Sequence, residues 1–505
     1  MSFRYINTTI AAIALLGQDA RAANVAGSPI LVRSGDLQAD FTVFRRAYET
    51  LHPGLYRYNS REQIDTDFAA LREELNHDQP LVTAYLALSE FTAKIKCGHS
   101  YPNFFNQTDA IADILFKQQD KVPFYFRWID GRMILTRDFS GNPDLGPGTE
   151  VIAINGTPVK TILERLLTVA RADGSNRAKR VAQLEVNGAD SYEAFDVYFP
   201  MFFPQASPEM ALRILPFPAL ATGEKTVFVR ALTYAQRVAP ILARNKVARG
   251  GNTAFWDSRF LADGTAVLRM PLWETFNSPW DWKSYLNAFF DDLGQRATPH
   301  LVIDLRGNEG GTDNVGDVIL VHLIKSTLKK NATVRLVRYR SIPPDLAPYL
   351  KTWDPSFRNW GEKAVDLGNG FYSLKDSGPT SDDVLIPSSR PFHGDVYVLV
   401  DASNSSATFH FAQTFQQNRL GLLVGQPTGG NKRGITGGAF FFLYLPRTQI
   451  EIDVPLIGQY PVAEQPDEGL SPDIYVRPSI QDIASGADSE LNALATERGI
   501  GRVRN

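Results

Sequence analysis

Cysteine occurs once in this chain of 505 residues, at position 97, so no intrachain disulfide and no multi-cysteine metal cluster can form. Charge of one sign is also scarce. The formal net charge is −3 and no sustained Lys/Arg run is present, which gives no basis for a nucleic acid or an anionic membrane surface as partner. Beyond a short N-terminal stretch, no run is long and apolar enough to span a bilayer. Internal repeats and low-complexity tracts are absent as well. What remains is a globular composition, with length for about two or three domains and a sizeable core.

The N-terminal stretch has the layout of an export signal. Arg4 is the positive n-region, Ile10–Leu16 the short apolar core, and Ala20-Arg21-Ala22 an A-x-A cleavage site. Residues 1–22 are therefore read as a bacterial-type signal peptide and 23–36 as a linker, with a periplasmic or extracellular mature protein.

From residue 37 to 115 the pattern is helical. Phe41, Phe44, Ala47 and Leu51 form one stripe, ended by His52-Pro53-Gly54; Phe68, Leu71 and Leu75 form a second, and Leu86, Phe91 and Ile95 a third. Residues 116–235 are β-rich, with a hairpin signal at Ile154-Asn155-Gly156-Thr157. Strand and helix then alternate across 255–480, which predicts an α/β sheet, with an aromatic-rich insert at 328–392 and a C-terminal helix in 481–505. The insert's Tyr339, Tyr349, Trp353, Phe357, Trp360, Phe371 and Tyr372 are expected to pack against the core.

The chemistry concentrates in Gly394–Gly430. Val396, Val398 and Val400 mark a buried strand, the polar break 401–406 follows, and Ala407, Phe411 and Phe415 mark an amphipathic helix. A serine thus falls at a helix N-terminus, where unpaired N–H groups and the dipole favour an oxyanion, although serines there commonly act as caps. A second strand, Leu301–Arg306, runs into Gly307-Asn308-Glu309-Gly310-Gly311, whose glycines allow close backbone approach.

Together, IDLRGNEGG at 303–311, SSATFHFA at 405–412 and VGQPTGG at 424–430 resemble peptidase family S41, the tail-specific, C-terminal processing and tricorn-like serine peptidases. LHPGLYRY at 51–58, Lys96-Cys97-Gly98-His99-Ser100 and the C-terminal helix fit the same pattern, and Leu145–Val159 resembles the end of a PDZ module. The resemblance implies an α/β fold: a ClpP/crotonase-like catalytic core, an N-terminal helical domain and a PDZ-like β-rich module. It also implies a polypeptide substrate and no metal or other cofactor.

On that resemblance Ser406 is the nucleophile, and it needs a base. His99 matches the histidine of the tricorn branch, and an imidazole suits proton transfer at neutral pH. Lys432 is the alternative: the processing branch places a lysine where Asn431 stands here, one residue earlier. His410, His52 and Cys97 read better as structural residues. Glu468 is the expected orienting carboxylate, with Asp467 and Glu464 as competitors, and Gly310 or Gly311 with Ala407 the oxyanion donors. Asp304 and Arg306 are expected to brace the strand end. The leading expectation is a secreted serine endopeptidase. The alternative is a non-catalytic protein of this fold that binds a peptide or small apolar ligand. A generic esterase ranks third, because no G-x-S-x-G elbow surrounds Ser406.

Overall fold

The computed structural model describes residues 30–218, 223–249, 256–276, 278–330, 333–375 and 384–500. The expected signal segment 1–22, residues 23–29 of the linker 23–36 and residues 501–505 of the expected C-terminal helix lie outside the described residues.

Helices Ser34–Leu51, Arg61–Glu74 and Leu81–Lys94 open the structure. Their apolar stripes meet in an aromatic knot: Phe91 lies 5.3 Å from Phe44 and 4.5 Å from Phe68, between ring centroids. The first helix stops at His52, whose ψ of 106° is the extended backbone that the following Pro53 favours.

The β-rich segment folds into an antiparallel sheet, in spatial order Phe124–Ile129, Arg132–Asp138, Glu150–Ile154, Glu209–Leu215 and Lys225–Arg230. Asn155 and Gly156 take φ of 47° and 80° and close the hairpin between Ile154 and Thr157, the backbone that an Asn-Gly turn prefers.

The strand leading to Ser406 lies in a six-stranded sheet ordered Ile474–Tyr475, Leu422–Gly425, Asp395–Val400, His300–Asp304, Ala266–Arg269 and Asp257–Phe260. All neighbouring pairs are parallel except the last. The carboxyl ends of the three strands carrying the motifs therefore share one edge, where open α/β sheets place their ligand crevice.

The insert is woven in rather than appended. Thr333–Val337 pairs with Glu451–Pro461, and Leu350–Lys351 with Thr436–Tyr444, in a second six-stranded, antiparallel sheet. Tyr339 is buried there, and Tyr349, Phe357, Trp360 and Tyr372 pack against the core.

One hydrophobic core runs without a break from the N-terminal helices through the β-rich sheet to this antiparallel sheet. The parallel sheet is packed by separate clusters on its two faces, one containing Ala407, Phe409 and Phe411, the other Val302 and Leu399.

Candidate active site

The strand Asp395–Val400 and the helix Ser406–Gln417 are joined by a turn of five residues that is fixed almost entirely by its own side chains. Asp401 Oδ1 accepts from Ser403 N at 2.9 Å, and Asn404 Oδ1 accepts from Asp401 N at 2.8 Å. The turn ends on Ser406, whose φ is +53°. A left-handed serine costs conformational energy, and such residues persist where the surroundings over-determine them. Neither serine caps the helix. Ser405, at the N-cap position, makes no side-chain cap and instead donates from Oγ to Glu309 O at 3.2 Å. The Ser406 side chain is nearly buried, at 5% exposure, and its backbone opens the helix, so the next N–H, that of Ala407, lies in the first turn without an intrahelical acceptor.

The glycine loop lies directly against this turn. A Cβ at Gly310 would stand 2.9 Å from Ser405 O and 3.0 Å from both Ala407 N and Ser406 Cβ, and Gly310 itself has φ of 106°. Only glycine leaves that space open. Gly310 differs from expectation in one respect: its N–H donates to Asn308 Oδ1 at 2.9 Å, so in this conformation it shapes the pocket without donating to it. At Gly311 the bridge to Trp273 uses Gly310 O and Thr312 N, which leaves the Gly311 N–H outside that pairing.

His99 reaches this region from the end of the helical segment. Its ring packs beside Gly437, where a Cβ would lie 3.4 Å from His99 Cε1, and 5.9 Å from the Phe440 ring. Arg171 Nε holds Gly98 O at 2.8 Å and its guanidinium lies 3.7 Å over the Tyr101 ring, while Asp173 Oδ1 accepts from Gly98 N at 3.0 Å. Burial pushes the imidazole pKa down to about 3, with the Arg171 and Lys179 charges adding to it and Glu309 opposing. The ring is therefore neutral at pH 7. Nδ1 is buried without a hydrogen-bond partner, and no hydrogen bond joins the ring to Ser406 among the described residues.

The expected orienting carboxylate does not reach it. Glu468 Oε1 binds Lys432 Nζ at 2.8 Å, and the Glu468 side chain is 57% exposed. This pair places both Glu468 and the alternative base Lys432 in a surface contact with each other. Asp467 is occupied by Ser175 and by Asn431 Nδ2, the latter at 2.7 Å, and Glu464 is exposed. His410 has its pKa lowered by burial, opposed by Asp313. His52 accepts from Gly54 N and stacks on Tyr48, and burial pushes the thiol of Cys97 up. Asp304 and Arg306 brace the strand end: Arg306 binds Asp304, and beyond it Asp488 and Glu490 of the C-terminal region.

Three residues that sequence reasoning missed hold the site together. Asn404 Nδ2 donates to Leu305 O at 2.6 Å and Asn308 O at 3.0 Å, while Asn404 O accepts from Gly429 N and Gly430 N. Thus one side chain and its carbonyl tie all three motif loops. Asn308 adds the bond to Gly310 and another, from Nδ2, to Met270 O at 2.7 Å. Lys179, only 3% exposed, donates from Nζ to Glu309 Oε1 at 2.8 Å and Ser403 O at 2.9 Å. Asn308 stands inside the motif at 303–311 and Asn404 immediately before the one at 405–412, so their place was visible though their role was not. Lys179 sits in the short segment RAKR at 177–180, where nothing local to the sequence marks one of the three cations for burial.

No cluster of three or more His, Cys, Asp or Glu side chains that could hold a metal occurs among the described residues, and none of their helices is long and apolar enough to cross a membrane.

Residues 264–476, which hold most of the parallel sheet with its loops and the woven insert, match the model of peptidase family S41. Among solved structures, the fold is similar to that of a CPAF point mutant, at 14% identity and a TM-score of 0.59, over 90% of this chain and 94% of that one. It is also similar to mature CPAF complexed with lactacystin, at 15% identity and a TM-score of 0.57, over 90% and 95%. No curated protein matches the chain in sequence. The mixed α/β architecture expected of the family is present.

Proposed function

We propose that this chain is a secreted serine endopeptidase that hydrolyses polypeptides through an acyl-enzyme on Ser406. One observation carries the reading: Ser406 is held in left-handed backbone at a strand-to-helix turn, against a glycine that keeps the space beside it empty. In this mechanism Ser406 Oγ attacks the scissile carbonyl carbon while His99 Nε2 takes the hydroxyl proton. The carbonyl oxygen becomes an oxyanion facing the N–H groups of Ala407 and Gly311. Collapse breaks the C–N bond, and the proton on His99 passes to the departing amine. Water, deprotonated by the same imidazole, then attacks the ester and releases the acid and the serine hydroxyl. Burial keeps the His99 ring unprotonated at pH 7 and also weakens it as a proton acceptor, so the mechanism needs the imidazolium to be stabilised when substrate binds. Glu468 remains the candidate for orienting the imidazole only if its loop moves on substrate binding.

A fluorophosphonate probe tests the reading. Ser406 should be the labelled residue, and Ser406→Ala should abolish both labelling and peptide turnover in a folded protein. Turnover retained in that variant would overturn the assignment. Export is tested by mass spectrometry of protein from the periplasm or medium, which should begin at Ala23, give or take a residue.

The second reading, a peptide-binding protein of this fold without activity, is favoured by one observation: the unpartnered Nδ1 of His99 and its lack of a bond to Ser406. Such bonds often tighten only when substrate binds. An unlabelled Ser406 alongside measurable peptide binding would establish this alternative.

A further inference from the structure

Lys179 is a buried ammonium supplied by the β-rich segment, on the helix Arg177–Gln183, to a site whose nucleophile and glycine loop both belong to the parallel sheet. Its two acceptors are informative. Glu309 immediately precedes Gly310, the residue pressed against Ser406, and Ser403 lies in the nucleophile turn. The same ammonium therefore bonds one side chain of the glycine loop and one carbonyl of the nucleophile turn. Its stem packs closely as well: a Cβ at Gly429 would lie 2.8 Å from Lys179 Cδ. The helix is itself anchored, since its N-cap Asn176 donates from Nδ2 to Thr428 O at 2.9 Å and Gly430 O at 3.1 Å.

We propose that Lys179 is a positioning residue for the oxyanion pocket, locking the glycine loop to the nucleophile turn so that their backbone N–H groups converge. The inference rests on the peptidase reading for its kinetic consequence, but the lock is a property of the two loops. An ammonium suits this task because it has three donors on a point charge, and can satisfy a carboxylate and a carbonyl at once. Losing it takes the bonded cation from half-exposed Glu309 beside the loop, while the Ser403 carbonyl loses this donor. A misplaced oxyanion pocket weakens binding of the tetrahedral state and not of the ground state.

Lys179→Met, which keeps the stem and removes the charge, and the double variant Lys179→Met with Glu309→Gln, which also removes the stranded carboxylate, test this in the full chain. In both, kcat should fall about 10- to 100-fold, reaching at most the lower end of the loss for a removed oxyanion donor, with KM within about threefold. The affinity of a peptide boronate, a tetrahedral mimic, should fall in parallel. Amide hydrogen exchange should rise in both 307–312 and 403–408. A raised KM with kcat intact, or wild-type turnover in the double variant, would overturn the proposal. Should the wild-type protein hydrolyse nothing, the peptidase reading fails on its own. Exchange then decides this one: unchanged protection of the two loops in Lys179→Met overturns it, and a joint rise upholds the lock.

Discussion

Lys432 Nζ lies 2.8 Å from Glu468 Oε1, so the alternative base and the expected orienting carboxylate are bonded to each other on the protein surface. An exposed pair of this kind contributes about 0–1 kcal/mol. Lys432→Ala should therefore leave the melting temperature and single-turnover acylation within a fewfold of wild type. His99→Ala should lose on the order of a thousand-fold or more, as when a base is removed from a catalytic triad. Comparable losses in the two folded variants would contradict this assignment.

The left-handed backbone of Ser406 makes a stability prediction independent of activity. Glycine adopts φ of +53° without the Cβ clash, so Ser406→Gly should be more stable than Ser406→Ala by about 1 kcal/mol. Both should be inactive. Chemical denaturation of the two proteins side by side measures the difference, and equal stability would mean that the strain is absent.

Gly310→Ala should be damaging for two separate reasons. The new methyl group would sit 3.0 Å from Ala407 N, and alanine would have to adopt φ of 106°. We expect a stability loss of about 1–3 kcal/mol and a kcat loss of about a hundred-fold or more. Thermal unfolding and single-turnover assays check the two effects independently.

Acid should act through two buried imidazoles. Burial lowers the pKa of both His52 and His99 to about 3, from 6.5. Between those values the unfolded chain binds more protons than the native one, so this contribution is complete above about pH 6.5 and is lost as the pH falls toward 3. Asp173 and Asp453 run the other way: burial raises each to about 6, so their native-state cost appears as the pH rises from about 4 to 6. A His52→Gln variant separates the two, because its stability deficit relative to wild type should shrink on acidification across that window. For His99 the readout is kinetic. The acid limb of kcat/KM should fall below the ordinary imidazole value of about 6.5, and a limb centred at 6.5 or above would contradict a buried neutral base.

How much of this was legible in the sequence depends on the range of the interactions involved. The strand ends were, because β-branched runs such as Val396–Val400 break into glycine or serine at fixed points. The hairpin at Asn155-Gly156 was also local. The pairing of Thr333 with Pro461 was not: no short-range signal links strands so far apart, so the insert could be expected to pack on the core without its strand partners being legible. The site divides in the same way. The glycines are marked by backbone chemistry and Ser406 by the motif it resembles, whereas the roles of Asn404 and Lys179 are defined by carbonyls distant in sequence.

The hydrophobic clusters, finally, bear on when this chain first becomes competent. The turn carrying His99 is rooted in the core shared by the helices and the antiparallel sheet, and Ser406 in the cluster beneath the parallel sheet. That shared core includes Ile452, Val454 and Leu456, residues made after the nucleophile, so it cannot be completed by a nascent chain that ends at Ser406. Under the proposed mechanism, a serine without its imidazole is a weak nucleophile. The seam between the two cores thus sets an order of assembly: the surroundings of His99 are completed only after nearly the whole polypeptide has been threaded into place.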